Sequence, residues 1–162
     1  MRVLAHRARG RVTAVAAALI AALGGGALGG VRPARAADCT VAEQHRIADD
    51  LPRLKSWETI HAHFKAYLPR CDDGWMAEGY SDVVAKTLAR QWATLRELDR
   101  LAGRDPAFRA FVLRHVDATV DHADLRTIAA SAGRDCPHDL ARLCEALAAA
   151  AAKALGEAER RR

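Results

Sequence analysis

Apolar side chains recur every three or four positions from residue 40 to residue 155, and no apolar/polar alternation runs for a strand's length between turn signals. Only helices packed on helices bury a pattern of that period, so the expected class is all-α, a compact bundle of about five or six helices. Thr40 and Glu43 form a capping box that opens the first helix, which should run to about Leu51. Pro52 can begin the second, with Leu54, Trp57, Ile60, Phe64 and Leu68 as its apolar face and Pro69 as its stop. Asp72 or Asp73 caps the third and longest, on which Met76, Tyr80, Val84, Leu88, Trp92, Leu95, Leu98 and Ala102 share one side before Gly103. Asp105-Pro106 opens the fourth, with Phe108, Phe111, Val112, His115 and Val116 on its apolar side. Asp121 and Asp124 cap a fifth that ends at Gly133, and an alanine-rich sixth follows Pro137 through Leu155.

The N-terminal 36 residues do not belong to that bundle. Four arginines and no acid precede an apolar stretch, Val12 to Leu28, broken by Gly24, Gly25 and Gly26, and Ala34-Arg35-Ala36 supplies the small residues of a cleavage site. Basic start, short apolar core and A-x-A end make a secretory signal peptide. A membrane anchor would need about 20 apolar residues, and the glycines make this a poor one. The expected organisation is a signal peptide over residues 1–36 and one helical domain over 37–162, periplasmic or secreted, with no integral membrane anchor after cleavage. Charge follows the same division. The chain is +5 with a pI near 9.4, but residues 1–36 hold six arginines and no acid, which leaves 19 basic and 20 acidic residues beyond them. The basic pI therefore belongs to the precursor, and the argument for a nucleic-acid partner disappears.

All four cysteines, Cys39, Cys71, Cys136 and Cys144, follow the cleavage site, and an even number in an exported chain points to disulfides. Cys39 precedes the first helix and Cys71 follows the second. In an antiparallel hairpin those ends meet, which favours Cys39–Cys71. The remaining pair conflicts with a continuous helix, where eight residues span about 12 Å and a disulfide needs Cα atoms within roughly 7 Å. Either the last helix starts near Asp139 or Leu140, or the cysteines cross-pair; the late start is preferred. No C-x-x-C or Cys/His spacing suits zinc.

The densest polar stretch, CDDGWMAEGYSD at 71–82, holds four acids behind a cysteine. As a hard-cation site those acids would need about six converging oxygens. A helix cap and a solvated helix face account for each of them, with Glu78 and Asp82 one turn apart on the side opposite Tyr80. His115 lies on an apolar face beside Phe111 and Val112; a histidine hydrogen-bonded in a core is the usual explanation, and a ligand or proton-transfer role is the sharper one. DATVDHAD, 117–124, begins like a calcium loop but has His122 and Ile128 where glycine and glutamate are required. His61 and His63 point about 200° apart on a helix and cannot share a metal. No G-x-S-x-G, glycine-rich loop or C-x-x-C-H is present, and Glu78 alone is weak support for a lytic enzyme.

CDDGWMAEGYSD, Trp92, DPAFRAFVLRHVDAT and CPHDLARLC together resemble a group of small, uncharacterised exported bacterial proteins. The resemblance covers most of the chain beyond the signal peptide. It implies a helical periplasmic domain with two disulfides and carries over no catalytic residue and no cofactor. Gly79-Tyr80 after a cysteine is similar to the glycine-tyrosine helix of Tai-type immunity proteins, which neutralise amidase toxins in the periplasm, although Val83 and Val84 stand where those proteins often have a second glycine. The expected function is non-catalytic protein–protein binding, as an immunity or inhibitor protein against another envelope or toxin protein. The surface expected to carry it lies around Trp75, Glu78, Tyr80 and Asp82. The alternative is a metal- or ligand-binding envelope protein, or a minor enzyme, using His115 with the acids from Asp72 to Asp82.

Overall fold

The structure is a computed structural model that describes residues 38–161, so the segment read as a signal peptide lies outside the described residues. Seven α-helices and no strand occur among the described residues: α1 (Val41–Asp50), α2 (Trp57–Tyr67), α3 (Gly74–Arg90), α4 (Leu95–Arg104), α5 (Pro106–Arg114), α6 (His122–Arg134) and α7 (Ala141–Arg160). The all-α bundle is the expected class, with one helix more than expected.

The extra helix comes from a break in the long third one. The chain leaves helical geometry at Gln91 (φ −130°, ψ 38°) and makes a 3-10 turn, Trp92–Thr94, before α4 resumes. Neither glycine nor proline stands there. The reason is tertiary: the turn aims Thr94 Oγ1 at the indole N–H of buried Trp57, which donates to it at 3.0 Å, and lets the Trp92 indole donate to the Asp135 carbonyl at 3.0 Å. Two buried or half-buried donors find acceptors that a straight helix would not provide.

The second departure concerns Pro52, which lies in a 3-10 turn, Leu51–Arg53, instead of opening α2. α2 starts five residues later, where Ser56 and Thr59 form a reciprocal capping box. Four of the other starts follow their caps: Thr40 with Glu43, Asp73 at α3, Asp105 at α5 and Asp121 at α6. Gly74 begins α3 at φ +55°, a left-handed conformation that glycine adopts without Cβ strain.

Two disulfides, Cys39–Cys71 and Cys136–Cys144, close the bundle. The second has its Cα atoms 6.1 Å apart because a 3-10 turn, His138–Leu140, precedes α7 and delays the helix, as the geometry required. α7 then runs on past Gly156 to Arg160. α6 packs on α3 and most extensively on α7, and α4 packs on α5 and α2. The core is aliphatic with an aromatic centre of Phe64, Tyr80, Phe108 and Phe111. α1 differs from the rest: Ile47 is its one buried residue.

Candidate functional site

Two features of α3 bear on function, one on its inner face and one on its outer face. On the inner face Ser81 and Tyr80 point into the bundle, 1 % exposed each, and meet His115, 2 % exposed, at the C-terminal end of α5. The Ser81 hydroxyl lies 2.7 Å from Asp117 Oδ2, 2.9 Å from His115 Nδ1 and 3.0 Å from the Ala77 carbonyl. It has one proton to give. Asp117, ionised and nearest, accepts that hydrogen bond, so Ser81 accepts in turn from His115 Nδ1–H. His115 Nε2 lies 3.1 Å from Asp72 Oδ1, an ion-pair contact without hydrogen-bond alignment. Asp72 is further paired with Arg114 across the surface.

Burial by itself would raise the Asp72 carboxyl; His115 first, then Arg114, outweigh it and hold it below the usual carboxylate range. Asp117 behaves alike: burial opposes, but bonds from Thr119 and Ser81 keep it low. A second buried histidine, His63, sits on the other side of Tyr80. Its Nδ1 is 3.1 Å from the Tyr80 hydroxyl and its Nε2 is 3.6 Å from Asp50 Oδ2. Burial lowers the His63 pKa more than Asp50 raises it, and burial together with nearby Asp72 raises that of Tyr80.

Asp72, His115 and Ser81 thus hold an acid–histidine–serine order that superficially matches a hydrolase triad. The chemistry differs. A nucleophilic serine hydrogen-bonds to the histidine that takes its proton and faces a substrate cleft; Ser81 donates its hydrogen bond to Asp117 instead and is sealed by packing. The arrangement is a satisfied polar network that joins α3, α5 and the two loops flanking them.

The outer face of α3 is open. A groove of about 540 Å³ runs between it and the α1–α2 connection, lined by Leu51, Leu54, Lys55, Trp75, Val83 and Arg90 among others. Trp75 is 48 % exposed, and Val41 is the one other large apolar side chain exposed among the described residues. Gly79 shapes the groove floor. A Cβ there would stand 2.5 Å from Leu51 Cδ1, so the missing side chain is what lets Leu51 lie against α3.

Of the residues expected at a binding surface, Trp75 and Asp82 line this groove and Glu78 is exposed on the same helix. Tyr80 and His115 lie inside, in mutual ring contact at 6.0 Å, and contribute nothing to that surface. Sequence reasoning missed Ser81 as the residue that joins His115 to Asp117, because 34 and 36 residues separate it from them. It also missed Lys55, Arg90 and the role of Gly79, whose spacing of four from Trp75 was the available signal. The acids Asp72, Asp73, Glu78 and Asp82 do not converge. Among the described residues, the one group of three or more potential metal-ligand residues with their atoms close together is Cys39, Glu43 and Cys71, and its two sulfurs are bonded to each other.

No protein-family model, characterised protein or solved structure shows a significant match to the chain.

Proposed function

We propose that this chain is an exported, non-catalytic helical protein that acts in the periplasm or outside the cell by binding another protein through the Trp75 groove, in the manner of an immunity or inhibitor protein. The observation that carries the reading is the half-exposed indole of Trp75 at a concave surface. Large aromatic side chains left at a groove are the residues on which binding energy concentrates, and a tryptophan with no burying partner of its own stays exposed at a cost that docking removes. The polar network around His115 supports it by contrast, since that chemistry is enclosed and offers no access to a ligand. Two disulfides suit an oxidising compartment.

Site-specific photo-crosslinking in the host tests this. A photoreactive residue at position 82 or 86, both in the groove lining, should give the same discrete protein adduct, and one at exposed Glu145 on α7 should not. No adduct from positions 82 and 86, or an equal pattern from all three, would overturn the assignment.

A further inference from the structure

The groove has a polarity along its length, and that polarity specifies a class of partner, provided the binding role of the Trp75 groove holds. Trp75, Gly79, Val83, Lys86 and Arg90 follow one another at three- and four-residue steps along α3, so they form a single stripe. From Trp75 to Arg90 that stripe is about 22 Å long. Its first half is apolar: the Trp75 indole, Leu51 seated on Gly79, then Val83. Its second half is cationic. Lys86 is already matched to Asp82 at 2.6 Å. Lys55 and Arg90 enter no ion pair among the described residues.

These two free cations share one end of the groove. The Gln91 side chain donates to the Lys55 carbonyl at 3.1 Å and so holds the chain at Lys55 against the last turn of α3. Arg90 in that last turn also offsets the helix dipole. Lys55 lies outside any helix and has no such role.

We infer that the groove takes an acidic segment of a partner protein. A large apolar side chain seats beside Trp75 and Leu51, and carboxylates meet Lys55 and Arg90 at the other end. An extended stretch of about seven residues covers the distance. The apolar contact supplies affinity, and the unpaired cations set direction and speed encounter with an acidic partner. A cation already paired, such as Lys86, contributes little to either.

The test is selection from a phage-displayed library of random peptides on the full disulfide-bonded chain, with counter-selection on Trp75→Ala. Peptides that survive should carry net negative charge and a large apolar residue, and their affinity should fall at least tenfold on the Lys55→Glu, Arg90→Glu double variant. Both positions are exposed, and circular dichroism checks that the fold is kept. Surviving peptides that are neutral or basic would overturn the acidic partner while leaving the Trp75 groove in place. No peptide that distinguishes Trp75→Ala from the parent would overturn both. Sedimentation of the chain alone completes the test: a dimer abolished by Trp75→Ala would assign the groove to a second copy and overturn the inference.

Discussion

Ser81 donates to half-buried Asp117 and accepts from buried His115, so its removal strands both. Ser81→Ala leaves Asp117 Oδ2 and His115 Nδ1 without their partner at a site closed by packing around the serine. A destabilisation of about 1–3 kcal/mol is expected, read as a shift of the urea midpoint at unchanged slope. A loss under about 0.5 kcal/mol would mean that water replaces the hydroxyl. Protonation acts on the same residues. The folded pKa of His63 lies below 6.5, so between that value and 6.5 the unfolded chain binds more protons and stability falls as pH drops through the window. Asp72 and Asp117 are depressed below 3.8; their contribution is complete above 3.8 and disappears as pH falls through their folded values. Acid should therefore weaken the fold in two stages, and His63→Gln should remove the upper one in urea titrations at pH 7.5 and 5.5. Equal pH dependence in His63→Gln and the parent would contradict this. The interior place of His115 was legible from its apolar neighbours Phe111 and Val112. Its hydroxyl partner Ser81 was not, since nothing local in the sequence marks a residue 34 positions away that the tertiary fold brings to 2.9 Å.

At the level of elements, caps were legible and breaks were not. Thr40, Asp73, Asp105 and Asp121 each satisfy orphan N–H groups with their own side chains, a chemistry written within three residues. The interruption at Gln91 has no such local cause; it exists because Trp57, 37 residues from Thr94, needs an acceptor. Thr94→Val keeps the shape and removes that acceptor, so it should cost about 1–2 kcal/mol in thermal or urea unfolding with helix content unchanged. Gly79→Ala separates stability from surface shape. The gain in helix propensity is about 1 kcal/mol, and the displaced Leu51 costs a similar amount, its clashing atom being a side-chain end. The melting temperature should hardly move, while binding to groove-selected peptides should weaken severalfold. Unaltered binding would remove Leu51 from the recognition surface.

For the whole molecule the two covalent ties are unequal. Cys39–Cys71 spans 32 positions and Cys136–Cys144 spans 8. On the loop-entropy account the first contributes roughly 4 kcal/mol and the second roughly 2.5 kcal/mol. Replacing Cys39 and Cys71 by alanine should therefore lower the urea-unfolding free energy by more than the same change at Cys136 and Cys144; the reverse order would place the larger strain in the long-range bond. The two bonds also serve different parts of the bundle. α6 and α7 cover each other along their lengths, whereas α1 buries Ile47 alone and is otherwise held by the bond at its root and by the Glu43–Arg70 and Asp50–His63 pairs. Elements with so little burial open below the free energy of global unfolding, and amide exchange should be fastest there. Ala48 and Leu51, which face α3 across the groove, ride on that element and the turn after it. The groove thus has one fixed jaw and one compliant jaw on a covalent hinge. On the proposed binding role, that compliance would let the groove meet partner segments of slightly different width.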